Sequence, residues 1–367
     1  MATTQIPWGD PKAVKLWAPK THRDVMKAAY WQRKFVGKGQ NNVIEERTEL
    51  TADSGDTISF DLCVRLQGEP TFGDNTLDGK EEALRFYTDK VSIDQVRKAV
   101  SAGGRMSRKR TVNDLRKTAS MNLRDYWKAW WDEVFFMYLS GARGMNEGFL
   151  MGTGFSGFAQ NALRAPDSAH TLFGGSATTK ATLTTADKMS RDVVERASVL
   201  ASMMTATDRD ASNMVPLSVD GDDRYICLMS DFQAYDLRSG TGGGDWLDIQ
   251  KALMTAEGQK NPVVKGGLGL LNNVILHAHQ NVIRFSDYGA GSNLPAARAL
   301  FCGRQAGAVA YGTTEGNRLI WVEDTKDYKN NPTVAGGYIG GVSKTQFNGR
   351  DFGVASIDTY AKNPNAA

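Results

Sequence analysis

Residues 111–143 read TVNDLRKTASMNLRDYWKAWWDEVFFMYLSGAR, and this stretch decides the fold. Apolar side chains recur in it at every third or fourth position, which is the period of a helix with one buried stripe. The members of the stripe are Val112, Leu115, Ala119, Leu123, Trp127, Trp130, Val134 and Tyr138. The spacing predicts one helix over 111–140, roughly 45 Å long at ~1.5 Å per residue. We expect it to be the spine of the chain, with a polar face that meets other elements or other subunits.

Both ends of this predicted spine helix carry sequence signals. Thr111 and Asp114 have the spacing of a capping box, in which side chains satisfy the free N–H groups of the first turn. Gly141 follows Ser140 and can adopt the left-handed conformation that ends helices.

The composition predicts a folded protein that is not inserted in a membrane. The chain has 367 residues, enough for two or three domains. It is 41% hydrophobic and 23% charged, which is typical of globular proteins and argues against global disorder. No apolar run approaches the ~18 residues that would span a membrane. The N-terminus has no signal-peptide core, so we expect the protein to act without secretion.

The positive charges are concentrated in two stretches. Residues 1–40 contain eight Lys or Arg against Asp10 and Asp24, and residues 105–128 contain eight against Asp114 and Asp125. One interpretation is a face directed towards a polyanion. The other is a solvated face or ion pairs between subunits.

Residues 1–50 are typical of an extended arm with a short helix over 23–35. Trp8, Trp17 and Trp31 have little core of their own there, so we expect them to be buried on another surface of the same chain or of a neighbour. Strict alternation over 57–66 then predicts a strand, and 83–91 predicts a returning strand. The two strands form a flap that is too isolated to be stable alone, so it must lie on something else.

The rest of the chain predicts mixed α and β structure. Ser92 and Gln95 have capping-box spacing, which predicts a short helix ending at 103–104. Residues 146–184 read as an irregular loop and 186–204 as a second amphipathic helix. From Pro216 onward, a compact α+β domain is expected, with strands at 225–229, 274–279, 282–285 and 319–322 and capped helices starting at Ser230 and Asp245. Alternating runs such as 352–357 predict strands that return to a sheet.

Few residues in the sequence indicate a catalytic, metal-binding or phosphate-binding site. His277 and His279 would lie on one strand face, but no third metal ligand is evident nearby. The glycine-rich residues 239–246 lack the spacing of a phosphate-binding loop. Adjacent acidic side chains point apart, so Glu45–Glu46, Glu81–Glu82 and Asp222–Asp223 are interpreted as ion-pair partners or solvated groups. We therefore predict no catalytic, cofactor-binding or metal site, and no enzyme.

The three cysteines agree with this prediction. Cys63, Cys227 and Cys302 are odd in number and widely spaced, which indicates buried reduced thiols rather than a disulfide framework or a zinc site.

The predicted parts follow one another as arm, flap, spine helix, second helix, compact α+β domain and return strands. In this order the chain resembles the major capsid proteins of tailed bacteriophages, which have the Hong Kong 97-type fold. The similarity covers nearly the whole chain. In the first half it is carried by GDTISFDLCVRLQG at 55–68, GDNTLDGKEEALRFYTDKVSIDQVRKAV at 73–100, MSRKRTVNDLRKTA at 106–119 and YLSGARG at 138–144. In the second half it is carried by YICLMSDFQAYDLR at 225–238, WLDIQKAL at 246–253, NPVVKGGLGLLNNVILH at 261–277 and ARALFCGRQAGAVAYG at 297–312.

The resemblance implies an α+β subunit with named parts. Residues 1–50 would be the N-terminal arm, 51–91 the extended loop that lies across a neighbouring subunit, and 215–330 the axial domain. Residues 92–214, with the spine helix at 111–140, and the return strands 331–367 would build the peripheral domain.

The implied function is a shell subunit of the virion, assembled in the host cytoplasm. It would form hexamers and pentamers of an icosahedral shell around double-stranded DNA. Its expected partners are other copies of itself, a portal, the packaged DNA by non-specific contact and a decoration protein, with no membrane. Only about fifty residues precede the flap, which favours a separate scaffolding protein over a fused one. Lys80 lies near the flap tip, but nothing in the sequence identifies a cross-linking partner for it.

Two alternatives remain open at this stage. One is an encapsulin-like compartment, which has the same fold but encloses cargo enzymes. The other is a soluble nucleic-acid-binding protein built on the basic arm and helix.

Overall fold

A computed structural model describes residues 30–51, 55–110, 114–207, 213–219, 221–240, 246, 249, 263–264, 266–313 and 318–365. The helices within these ranges are α1 (Tyr30–Lys34), α2 (Arg105–Arg110), α3 (Leu115–Ser140), α4 (Arg191–Thr207) and α5 (Asp231–Gly240). Short 3-10 turns lie at Glu49–Thr51 and Lys180–Thr182.

The strands of the first half are β1 (Val36–Gly37), β2 (Ile44–Arg47), β3 (Thr57–Cys63), β4 (Phe86–Ser92), β5 (Asp94–Ser101), β6 (Gly157–Phe158), β7 (Asn161–Ala162) and β8 (Thr171–Phe173). Those of the second half are β9 (Leu217–Val219), β10 (Asp222–Met229), β11 (Gly269–Leu271), β12 (Val274–Ala278), β13 (Arg284–Tyr288), β14 (Leu294–Cys302), β15 (Gly307–Tyr311), β16 (Ile320–Lys326), β17 (Asn331–Lys344), β18 (Gln346–Phe347), β19 (Arg350–Asp351) and β20 (Val354–Tyr360). The mixed α+β class predicted from the sequence is confirmed.

Helix α3 is the predicted spine helix, but it begins at Leu115, so the prediction of a start at Thr111 is wrong. The carboxylate of Asp114 accepts the N–H of Lys117 at 3.1 Å, and its carbonyl accepts the N–H of Thr118 at 3.0 Å, so Asp114 caps the helix. At the other end Gly141 has φ +68° and donates its N–H to the carbonyl of Tyr138, as predicted for a C-terminal glycine. Thr111, the other half of the predicted capping box, lies outside the described residues.

The burial of α3 changes along its length. In its first half the helix is amphipathic, with Leu123 and Trp127 buried on the predicted stripe. From Ala129 to Ser140, by contrast, every side chain is buried. The prediction of a single buried stripe is therefore wrong for the second half, because this part is packed on all sides and even its carboxylates meet other elements.

The chain forms two compact units. The smaller unit comprises Met1–Ala28, Arg97–Lys128 and Leu319–Gly337, and the larger unit comprises Ala29–Val96, Ala129–Arg318 and Tyr338–Ala367. Helix α3 and strand β17 belong in part to each unit.

The core of the larger unit is an eight-stranded sheet. Its order is β11-β12-β10-β14-β20-β8, with β13 beside β14 and β9 beside β10. β10 and β12 run parallel, whereas β14 runs antiparallel to both of its neighbours, β10 and β20. Helices α4 and α5 cover it, and their Val193, Ala197 and Leu237 pack in one cluster with Leu276 and Phe301 of the sheet. This confirms the second amphipathic helix and the strands predicted at 225–229, 274–279 and 282–285. The strand predicted at 319–322 is β16, which lies in a different sheet.

The capping box predicted at Ser230 is present. Ser230 donates its N–H to the side-chain carbonyl of Gln233 at 2.9 Å, and Gln233 donates its N–H to the Ser230 hydroxyl at 3.3 Å. Helix α5 follows directly, as expected. The helix predicted from Asp245 and the glycine-rich run before it lie mostly outside the described residues.

A second sheet has the order β1-β2-β15-β17-β16, and β5 also pairs with β17. β15 pairs with residues 340–344 of β17 in the larger unit. β16 pairs with residues 331–337 of β17 in the smaller unit, where Leu123 and Trp127 of α3 lie against Gly336.

The helix predicted after Ser92 is wrong, because residues 94–101 form strand β5. Pairing with β17 overrides the local capping signal. The backbone of Ser92 is hydrogen-bonded to Asn161. Its N–H donates to the side-chain oxygen of Asn161 at 3.0 Å, and its carbonyl oxygen accepts from the side-chain amide of Asn161 at 2.8 Å. Of the helix predicted over 23–35, the described part is α1.

Candidate assembly surfaces

The flap is a two-stranded antiparallel hairpin of β3 and β4, paired from Thr57 with Ser92 to Cys63 with Phe86. Its alternation is as predicted, with Ile58 buried and Phe60 half-buried between exposed polar residues. Ile58 stands opposite Val91, and both pack against Leu50 and Ala310 of the same chain. The flap root therefore has its own intramolecular cover.

Further contacts fix this root to the larger unit. The ring of Phe60 meets Phe347 edge-on at 6.0 Å, and the Arg47 guanidinium lies over Phe60 at 4.9 Å. The buried carboxylate of Asp89 on β4 accepts two hydrogen bonds from Arg164, at 2.8 and 2.9 Å, and one from the N–H of Gln346 at 3.0 Å. A buried carboxylate with three charge-assisted or backbone donors holds the strand in one position.

The flap tip, residues 64–85, contrasts with the root. Five large apolar side chains on the tip and the start of β4 are between 57% and 73% exposed: Leu66, Phe72, Leu77, Leu84 and Phe86. Monomeric proteins seldom expose so many large apolar groups in one segment, and such groups mark interaction surfaces.

The tip is nevertheless ordered by its own polar groups. The Glu82 carboxylate accepts the N–H groups of Gln67 at 2.8 Å and Gly68 at 2.7 Å, which ties the outgoing chain to the returning one. These hydrogen bonds, that of Gly68 first, lower the pKa of Glu82. The Asn75 side chain donates to the carbonyl of Phe72 at 2.7 Å.

Sequence reasoning found only half of this surface. The acidic side chains of the tip, Glu69, Asp74 and Asp78, can be read directly from the sequence and are exposed in the structure. Leu66, Leu84 and Phe86 lie within the predicted strands at 57–66 and 83–91. Phe72 and Leu77 were overlooked because each stands alone among turn residues, without the periodicity that identifies a buried face. Their signal was isolated large apolar groups in a segment rich in Gly, Asp and Asn.

The arm is anchored to α3 at Tyr30 and Trp31, the first residues that the structure describes. Trp31 in α1 is fully buried and meets Phe35 and Phe136 at 5.4 and 5.1 Å. The Asp132 carboxylate of α3 accepts the N–H groups of Tyr30 at 2.8 Å and Trp31 at 3.1 Å, in the first turn of α1. The expectation that arm aromatics are buried on another surface is confirmed for Trp31, on the same chain. Trp8 and Trp17 lie outside the described residues.

Glu133, the neighbour of Asp132, holds the loop after α3. Its carboxylate accepts the N–H of Leu150 at 2.8 Å, while its side chain is only 3% exposed. Burial raises the pKa of Glu133 to about 7, against the opposing effects of the Leu150 hydrogen bond and the charge of Arg143.

We expect this carboxyl to make folding pH-dependent. Because its folded pKa is raised from 4.5 to about 7, its contribution to stability is full below pH 4.5 and is lost as pH rises towards 7. The Glu133→Gln variant keeps an acceptor for Leu150 and cannot ionise. Denaturant unfolding of purified subunits between pH 4.5 and 8 should show wild type losing up to about 3 kcal/mol more than the variant. The matched control is Glu195→Gln, a partly exposed carboxylate on α4, and a Glu133→Gln slope equal to wild type would contradict this expectation.

The histidine pair does not form a metal site. His277 is buried, with its Nε2 2.8 Å from the carbonyl of Val263, and burial first, then Lys34, lowers the pKa of His277 to about 4. The ring of His279 lies 4.9 Å from Phe136, and its Nδ1 accepts the N–H of Asn281. Among the residues that the structure describes, no cluster of His, Cys, Asp or Glu could hold a metal ion.

The three cysteines differ in their exposure to solvent. Cys227 and Cys302 are buried and free, as predicted, and burial raises the pKa of Cys227 to about 12. The prediction is wrong for Cys63, which is free but exposed because it lies on the outer face of β3. Three members of the acidic pairs form ion pairs, as interpreted: Glu45 with Arg47, Glu46 with Arg318, and Asp222 with Arg224. Glu81 and Glu82 instead accept backbone N–H groups of the flap tip.

In the described part of the chain, no helix has both the length and the apolar character needed to cross a membrane.

Comparison with known proteins identifies this combination of flap, spine helix and sheets. A family profile described as phage capsid protein matches residues 5–363. The major capsid protein of Pseudomonas phage KPP25 is 26% identical over 363 residues, covering 93% of each chain. The solved capsid of Ralstonia phage GP4 is 58% identical, covers 100% of both chains and superimposes with a TM-score of 0.92. The capsid of cyanophage Pam1 shares the fold at 22% identity, with a TM-score of 0.77 over 98% of this chain and 99% of that one.

The fold is therefore that of a phage shell subunit of the Hong Kong 97 type. The chain belongs to the phage capsid protein family. It is a major capsid protein, it associates with copies of itself, and its place is the shell of the virion. These comparisons favour neither an encapsulin-like compartment nor a soluble nucleic-acid-binding protein.

Proposed function

We propose that this subunit assembles into hexamers and pentamers of a closed icosahedral shell that encloses double-stranded DNA. The observation that carries the proposal is the flap, whose root is packed on its own subunit while its tip and the start of β4 expose five large apolar side chains. A tip of this composition is completed by burial on a neighbouring copy.

The shell would be stabilised by many contacts between subunits, each of modest free energy. Burial of apolar surface contributes about 25 cal/mol per Å². Each subunit donates one flap and receives one, so every contact in the shell is repeated around each capsomer. Once a subunit is held by one neighbour, its remaining contacts form at high effective concentration.

We assign the parts of the subunit accordingly. Residues 1–50 serve as the arm, 51–91 as the extended loop and 215–330 as the axial domain, while 92–214 and 331–367 build the peripheral domain. The assignment is supported by the hairpin of β3 and β4 within 51–91, and by β9 to β15 and α5, which all fall within 215–330.

The remaining partners follow from the same role. They are a separate scaffolding protein, a portal, a decoration protein and the packaged DNA. We also propose that the subunit acts without catalysis or a cofactor, which its membership of a structural protein family supports.

Electron microscopy of the purified recombinant protein, with and without a scaffolding partner, tests this function. We expect closed particles of uniform size, with the scaffolding partner raising their yield. If both preparations contained only small oligomers that bind DNA with a steep salt dependence, the shell function would be rejected in favour of a soluble DNA-binding protein.

A further inference from the structure

The smaller unit carries a large excess of positive charge. Its described residues, which come from three separated segments (97–110, 114–128 and 319–337), contain twelve Lys or Arg and five Asp or Glu. Their net charge is +7, whereas the whole chain carries only +3, so the rest of the chain is net negative. Segregation of charge on this scale produces a local positive field suited to a polyanion.

Within this unit, helix α3 presents a line of cations. Lys117, Arg124 and Lys128 are exposed and lie seven and four residues apart, which places them on one face of the helix. At ~1.5 Å per residue the line extends about 16 Å along the helix axis. We call these three residues the basic face.

The acidic groups near this face leave it positive. Asp125 is 3.7 Å from Lys128, and Asp114 lies at the helix start. Across from α3, Glu323 pairs with Arg116, which is not part of the line. Arg124 stacks over the ring of Trp321 at 5.4 Å, an arrangement that leaves the edge of its guanidinium able to donate hydrogen bonds.

The composition of this face fits a nucleic acid better than a protein. Protein interfaces have an apolar centre and are depleted in lysine. Among the described residues, the exposed large hydrophobic side chains lie outside α3, in contrast to the flap tip. A DNA strand carries one phosphate per ~3.4 Å of helix axis, so a line of three cations about 16 Å long spans about five phosphates.

We propose that the basic face of α3 binds the phosphate backbone of the packaged double-stranded DNA, without reading its sequence. The proposal rests on the proposed function, since it assigns the DNA contact to a surface of the shell subunit. Of the two interpretations that the basic stretch at 105–128 left open, it adopts the face directed towards a polyanion.

The test compares two triple variants of the full chain. One carries Lys117→Gln, Arg124→Gln and Lys128→Gln. The matched control carries Arg191→Gln, Arg238→Gln and Lys362→Gln, which removes the same charge from exposed positions of the larger unit. Two quantities are measured: the affinity of dissociated subunits for a duplex of about 30 base pairs at several salt concentrations, and the DNA content of particles made in phage-infected cells.

We expect the basic-face variant to melt like wild type and to form shells. Each phosphate that a cation neutralises contributes about 0.9 to the logarithmic salt slope, so removal of three cations should lower the slope by about 2.7. Binding in low salt should be at least about tenfold weaker. The particles of this variant should contain less DNA, and the control should match wild type in each measurement.

Three results would overturn the proposal. If the variant forms shells with an unchanged salt slope and DNA content, the face does not contact DNA. An equal loss in the control would mean that only total charge matters. If the variant fails to form shells but binds DNA normally, the face is a contact between subunits. In all three cases wild-type shells would still support the proposed function, which fails only if wild type itself forms none.

Discussion

Replacing Trp131 by alanine is expected to lower the free energy of unfolding by ~3–5 kcal/mol, enough to leave much of the subunit unfolded or insoluble. Trp131 lies in the fully buried second half of α3 and is only 1% exposed. Its ring meets Trp130, Tyr311 and Tyr338 at 5.1 to 5.6 Å. Truncation would leave a cavity lined by aromatic rings that are held by several elements and cannot collapse into it.

The measurement is denaturant unfolding followed by tryptophan fluorescence, with Asn122→Ala as the control. Asn122 is exposed on the same helix, so its replacement should change stability by less than about 0.5 kcal/mol. The buried stripe predicts similar losses for Trp127→Ala and Trp130→Ala. A soluble Trp131→Ala subunit with wild-type stability would show that the second half of α3 is not part of the core.

Replacing residues 68–79 by a short Gly-Ser turn is expected to separate folding from assembly. The described contacts of the flap root, at Ile58, Phe60 and Asp89, all lie outside the deleted segment. The variant should therefore remain folded and melt cooperatively. It lacks Phe72 and Leu77 together with the acidic tip, so we expect no closed particles in electron micrographs.

Two full-length variants distinguish which property of the tip matters. Phe72→Ser with Leu77→Ser removes apolar surface, and Glu69→Gln with Asp74→Asn and Asp78→Asn removes charge. Burial of exposed apolar side chains stabilises an interface more than ion pairs at its solvated edge, so the first variant should fail to assemble and the second should retain most of its assembly. Normal shells from the shortened flap would refute its role in assembly, whereas loss of folding would mean that the tip belongs to the subunit's own core.

Prediction from sequence succeeded where a local pattern and the tertiary packing agree. The helical period in the first half of α3 and the alternation of β3 each mark an element whose periodic apolar face is the buried one. The capping box at Ser230 marks the start of one helix, α5. Such patterns need no knowledge of the partner.

It failed where a distant part of the chain decides the outcome. β5 is a strand because β17 is beside it, although its sequence begins with a helix-capping signal. The second half of α3 is buried all round because elements far apart in sequence enclose it. The flap tip failed for a different reason. Its Phe72 and Leu77 are exposed in the subunit, and no periodicity marks them in the sequence.

The clamp of Asp89 by Arg164 and Gln346 makes the flap a lever with a stiff hinge. Phe86, at the far end of the paired strands, lies three residues from Asp89, or about 10 Å at ~3.3 Å per residue. A rotation of about 5° at the hinge therefore moves that end of the hairpin by about 1 Å, while the packed groups at the root shift by a small fraction of that distance. In the proposed shell of pentamers and hexamers, differences in angle between adjacent subunits would then be absorbed by a small elastic deflection at this point, and the rest of the subunit could keep a single conformation.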